Sequence, residues 1–165
     1  MDIKITEAKL DDKPVLKNLM QLYLYDFSEF ENIDVNKHGL FDYRYFDQYW
    51  VKKARYPFLI RYENRIAGFA LVNSHSVTGK AQYNIAEFFV MRRYRRNGIG
   101  RYAATSLFDK VGGYWEVRQT ENNSIAQTFW LNIIKEYTSN TFKNYRDGFG
   151  DWKGPIQLFK SNTFQ

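Results

Sequence analysis

The chain has no cysteine, which excludes disulfides, thiolate catalysis and thiolate metal ligands. Histidine is nearly absent too. His38 and His75 have no ligand-spaced partners, so a metal site is not expected. The N-terminal residues Met1-Asp2-Ile3-Lys4-Ile5 lack the charged-then-apolar pattern of a leader, and no apolar run approaches membrane-spanning length. A cytoplasmic protein acting off the membrane is the expectation. At 165 residues the chain suits one domain, 1–165, with a core that needs no staples.

What is abundant is positive charge and aromatic surface. A net charge of +6 points to an anionic partner without choosing among nucleic acid, acidic membrane and phosphorylated cofactor. The 14 Phe, 13 Tyr and 4 Trp are mainly packing residues, although the tyrosine-rich stretches at 23–25 and 43–56 could line a pocket.

The charge is clustered. Residues 92–101, Arg-Arg-Tyr-Arg-Arg-Asn-Gly-Ile-Gly-Arg, carry five arginines and two glycines between an apolar run (Phe88, Phe89, Val90, Met91) and a helical pattern. A strand that turns through glycines into a helix start makes an anion site. Its backbone can be approached closely, its first-turn N–H groups lack helical partners, and its dipole end is positive. Arginines add charge suited to phosphate oxygens. The implied ligand carries phosphate, with two linked phosphates the best match.

The remaining pattern alternates strands and helices. Ile3–Thr6 reads as a strand, and Asp11-Asp12 before Pro14 starts a helix whose apolar positions run to Phe30. Residues 31–41 read as loop and Phe41 to Lys53 as a second short helix. Residues 57–62 and 66–72 form a hairpin, 83–91 a long strand, and Ile99, Ala103, Leu107 and Val111 a helix face. A strand at 114–118, a helix capped by Asn122-Asn123-Ser124, and final strands at 141–149 and 156–160 complete one α/β domain.

A strand followed by Arg95-x-x-Gly98-x-Gly100 and a helix, in this element order, resembles the GNAT acyltransferase superfamily. Asn123, Ala126 and Phe129 fit that family's Asn-x-x-Ala-x-x-Phe helix after the next strand. The resemblance implies an α/β (α+β) fold with a mixed, mostly antiparallel sheet of six or seven strands flanked by about four helices. It implies an N-acetyltransferase with acetyl-CoA as cosubstrate and a small-molecule or peptide amine as acceptor, in a ternary complex. Acetyl-CoA would lie where the strand at 84–91 splays from that at 114–119, beside Phe89, Val90, Met91, Arg92 and Arg95. Backbone N–H groups of Arg96, Asn97, Gly98, Ile99, Gly100 and Arg101 would hold the pyrophosphate, with Asn123 and Trp130 alongside. An amide near Val90 would polarise the thioester carbonyl. Relatives are often dimers, so a homodimer is one assembly open to the chain.

One residue departs from the pattern. The family usually has Tyr after that Phe, as the acid for the leaving thiolate; here it is Trp130, and indole N–H is no useful acid. Protonation from water is then expected. Glu87 is the candidate base, because a carboxylate in an apolar strand must face a cleft or a partner; a cross-strand Arg or Lys is the alternative. Asp26, Glu29 and Glu31 follow the first helix, where acidic groups would suit a cationic amine or simply form a solvated loop.

Three other readings compete. Gly98-x-Gly100-x-x-Ala103 also satisfies a dinucleotide fingerprint, but no clean acidic ribose ligand follows roughly 20 residues on. A nucleic-acid module would spread its basic residues over several elements instead of concentrating them in one turn, so no nucleic-acid partner is expected. A CoA-binding protein that has lost catalysis is the reading Trp130 keeps open.

Overall fold

The computed structural model describes residues 2–163. Strands β1 (Ile3–Glu7), β2 (Arg55–Tyr62), β3 (Arg65–Asn73), β4 (Tyr83–Val90), β5 (Tyr114–Arg118), β6 (Lys143–Tyr145) and β7 (Ile156–Lys160) form one seven-stranded sheet. Its order is β1-β2-β3-β4-β5-β7-β6, antiparallel throughout except for parallel β4 and β5. Helices α1 (Lys13–Phe27), α2 (Ile99–Val111) and α3 (Ser124–Tyr137) flank it. Among the described residues no helix is long and apolar enough to cross a membrane.

Each helix buries the stripe its spacing sets. Leu16, Leu19, Met20 and Leu24 of α1 pack on one sheet face against Leu59, Phe69, Leu71 and Phe89. The other face takes Leu107 and Phe108 of α2 and Trp130, Ile133 and Ile134 of α3 against Phe58, Val72, Ile85, Trp115 and Val117. Between β3 and β4 the backbones approach so closely that a Cβ on Gly68 would lie 1.9 Å from the Phe89 carbonyl oxygen.

Three expected elements are shorter than the sequence implies, α1 ending at Phe27 instead of Phe30, and there are three α-helices where about four were expected. Only Phe46–Trp50 of the stretch 41–53 is helical, as a 3-10 turn. Side chains pin the first residue of that stretch and the loop before it. Gln21 pairs with both backbone groups of Phe41 at 2.8 Å, and Asn36 Oδ1 accepts from the N–H of His38 and Leu40. The strand expected at 141–149 contracts to Lys143–Tyr145. Residues 146–155 form a loop in which Phe149 and Trp152 pair backbone to backbone at 3.1 Å.

Two irregularities position the site. First, β4 pairs with β5 only from Tyr83↔Trp115 to Ile85↔Val117, so the strands part beyond Ile85. Second, β4 has a bulge: Leu71 pairs with Glu87 but Val72 with Ile85, leaving Ala86 as the extra residue. Simple alternation would put Ile85 and Glu87 on one face. The bulge separates them, so that Ile85 joins the α2–α3 core while Glu87 turns to the face covered by α1.

Candidate active site

A cleft of about 550 Å³ opens where β4 and β5 diverge. Its floor is Phe88, Phe89 and Val90 of β4; Gly98, Gly100 and Arg101 border it at the start of α2, and Asn123, Ala126 and Phe129 at the start of α3. Tyr23, Asp26, Phe27, Glu29 and Phe30 close the α1 side. The three residues of the Asn-x-x-Ala-x-x-Phe pattern thus share one wall with the glycine turn.

The turn is built for an anion. Gly98 has φ +74°, in the left-handed region that favours glycine, and the first helical bond of α2 runs from Tyr102 N–H to the Gly98 carbonyl at 3.0 Å. The N–H groups of Ile99, Gly100 and Arg101 therefore have no helical acceptor. Gly100 packs closely, and a Cβ there would sit 3.2 Å from the Phe129 ring. Asn123 caps α3 by accepting from Ala126 N–H at 2.9 Å. These donors fit a pyrophosphate.

The arginines divide their work in a way the sequence does not announce. Arg92 Nη2 lies 2.6 Å from Asp26, which Arg95 also grips, and Arg95 Nε donates to the Val90 carbonyl at 2.7 Å. Burial pushes the Asp26 carboxyl up, but bonds from Arg95 and Arg92 outweigh it and hold the group below its usual range. Asp26, expected to meet a cationic amine, is thus tied up as the anchor of the arginine turn. Glu29 stays on the cleft rim, and Glu31 lies in the loop after α1. Arg101 pairs with Glu136 and Arg93 lies over the Tyr94 ring. Arg96 lines the cleft and has no ion-pair partner among the described residues.

Other expected ligands are placed differently. Trp130 is core, not cleft. It packs 5.0 Å from the Phe88 ring and 6.4 Å from that of Phe108, because position 130 falls on the inward stripe of α3; Phe129 is the neighbour that reaches the cleft. The Ile99 side chain is buried with Ile3, Ile60 and Ala103, so only its backbone can serve a ligand. Met91 packs under α1 and gives its N–H to the Ala67 carbonyl at 2.8 Å. Asn97 lies on the exposed turn. By ladder alternation Val90 N–H points away from β3, toward the gap that β5 has left.

Beside the cleft, Glu87 is held by two hydroxyls. Tyr23 Oη donates to one carboxylate oxygen, and Tyr43 Oη to the other at 3.0 Å. Burial pushes the Glu87 carboxyl up to about 7 against these donors and Arg118. Burial and the Glu87 charge raise both tyrosine hydroxyls in turn. Tyr23 touches both the cleft and Glu87; in the sequence it is marked only as part of the tyrosine-rich stretch 23–25 that could line a pocket, while its helical spacing reads as core. Tyr43 is distinguished there only as one of many tyrosines.

Sequence comparison agrees with this geometry. The family model of the acetyltransferase (GNAT) family matches residues 17–131, and the chain belongs to that family. No curated protein matches. An acetyltransferase from Thermus thermophilus superposes with TM-score 0.68 at 15% identity over 97% of each chain. A PaiA N-acetyltransferase from Thermoplasma acidophilum, in complex with coenzyme A, gives 0.63 at 14% identity over 97% of this chain and 99% of that one. The ribosomal-protein-S18-alanine N-acetyltransferase of Escherichia coli gives 0.60 at 13% identity over 97% and 94%. The chain is thus an acetyltransferase with the family's fold, and acetyl-CoA is the family's cosubstrate.

Proposed function

We propose that this chain transfers an acetyl group from acetyl-CoA to the primary amine of a small molecule or peptide by direct attack. The observation that carries this reading is Glu87 held between Tyr23 and Tyr43 at the edge of a cleft bordered by an anion-binding helix start. Acetyl-CoA supplies the activated acyl group. The N–H groups of Ile99, Gly100 and Arg101, with the Arg96 guanidinium, bind its pyrophosphate. Val90 N–H faces the acyl carbonyl and stabilises developing negative charge there.

Glu87 Oε accepts the proton that the amine gives up, a task suited to a carboxyl near 7. Tyr23 Oη is positioned to pass a proton toward the cleft and recover one from Glu87, so the acid missing at position 130 has a substitute on α1. The proton then need not come from water. Asp26 positions the turn through Arg92 and Arg95 and takes no part in acceptor recognition.

The test is release of free thiol from acetyl-CoA with a broad panel of amines. Acetylated amine in the product supports transfer. Tight acetyl-CoA binding with no product from any amine would favour the second reading, a catalytically silent CoA-binding protein, which rests on Trp130 standing where an acid is usual.

A further inference from the structure

The acceptor side of Glu87 has a charge that the transfer reaction alone does not require. Arg118 ends β5, one residue beyond the last β4–β5 pair, so it and Glu87 flank the point where the strands part. Its side chain is only 13% exposed. A guanidinium so enclosed is costly unless its donors are met.

The protein meets few of them. Glu116 approaches Arg118 Nε only to 3.6 Å. That carboxylate is already saturated, accepting from Ser76 Oγ, Val77 N–H, Thr78 N–H and Thr78 Oγ1 at 2.7–3.1 Å. Its role is to fix the loop between β3 and β4. With its oxygen turned inward, the Asn84 amide accepts from Arg118 Nη2 at 3.0 Å. The Trp152 ring lies 5.0 Å from the guanidinium carbon, covering a face and offering no acceptor. Glu87 acts on Arg118 through space, without an ion pair among the described residues. Burial consequently pulls the Arg118 pKa down against both carboxylates.

A guanidinium fixed by stacking on Trp152, oriented by Asn84 and left with open donors is prepared for a planar anion. We propose that Arg118 binds a carboxylate on the acceptor while Glu87 receives its amine, so that the substrate is an amino acid. This rests on the acetyltransferase reading above and adds the acceptor class. A negative and a positive group flanking one gap match a molecule carrying both an amine and a carboxylate. A polyamine would instead set a second cation against Arg118, and Asp26 on the α1 side of the cleft is occupied by Arg92 and Arg95.

The experiment uses the full chain, acetyl-CoA and matched pairs: α-, β- and γ-amino acids, each beside the amine left when its carboxylate is removed. The carboxylate-bearing member of at least one pair should show a kcat/KM tenfold or more above its partner. Arg118→Gln should collapse that ratio toward one through a raised KM for the acid, and Arg118→Lys should retain part of it. Acetyl-CoA affinity and thermal midpoint, measured on both variants, exclude a folding defect. Equal use of acids and amines by the wild type overturns this proposal and leaves acetyl transfer standing. So does an equal loss on both members in Arg118→Gln. No product from any amine, with or without a carboxylate, overturns the acetyltransferase reading and this proposal with it.

Discussion

Arg95 Nε donates to the Val90 carbonyl at 2.7 Å, so the arginine turn is bonded back to the strand whose amide faces the cleft. The same guanidinium reaches Asp26 on α1. One side chain thus ties together the strand end, the anion turn and the first helix. This explains why an arginine occupies the motif position better than a simple need for charge does, since charge alone could come from any of its neighbours.

Arg96→Ala should weaken CoA binding by about 1.5–3 kcal/mol, the loss of a charge-assisted bond to phosphate. Arg95→Ala should weaken it too and also lower the thermal midpoint, because it frees the Val90 carbonyl and half of the Asp26 clamp. Arg93→Ala, which removes only a contact with the Tyr94 ring, should change neither. Calorimetry and melting curves on the three variants check this. Identical losses from all three would point to diffuse attraction.

Gly98→Ala should cost about 1–2 kcal/mol of stability from the left-handed backbone and should reduce CoA affinity by setting a methyl group in the open space that the phosphates would approach. Gly100→Ala should act differently. Its Cβ pushes on the Phe129 ring, so affinity falls while the backbone remains unstrained. Denaturant titration and calorimetry separate the two. A Gly98→Ala protein with unchanged stability and affinity would show that the turn does not depend on its left-handed residue.

Much of this arrangement is legible in the chain. The α1 stripe, the hairpin, the glycine turn and the cap at Asn123 follow from local chemistry, and they stand where periodicity and capping put them. Other features depend on the distant partner. The bulge at Ala86 breaks no sequence rule, yet it decides which way Glu87 points. Asp26 looks available until the fold brings Arg92 and Arg95 to it. The helix expected over 41–53 does not start at Phe41 because the Gln21 side chain takes both backbone groups of that residue, a competition that spacing does not reveal.

Glu87→Gln should lower turnover most between about pH 7 and the pKa of the acceptor amine. There the carboxylate is ionised and the amine still arrives protonated; below that range the wild-type base is itself protonated. The stability effect has the opposite sense. Burial raises the folded pKa to about 7, above the unfolded value. The group's stabilising contribution is therefore full below the unfolded pKa and is lost as pH rises through about 7. The wild type should lose stability relative to Glu87→Gln over that interval. Parallel melting curves at every pH would contradict the buried placement of this carboxyl.

Tyr23→Phe and Tyr43→Phe form the sharpest pair, because each removes one donor from Glu87 but only Tyr23 also faces the cleft. Losing either hydroxyl removes a bond that favours the Glu87 carboxylate, so in both variants the rising limb of the pH–rate profile should move to higher pH. At pH values well above that limb, Tyr43→Phe should recover most of the wild-type rate. Tyr23→Phe should remain slower by about a hundredfold to ten-thousandfold, the range of a lost proton-transfer group, with acetyl-CoA affinity preserved. If both variants recover fully, Tyr23 serves only to hold Glu87, and the proton for the departing sulfur comes from solvent. If neither profile shifts, Glu87 is not the group that titrates in the reaction.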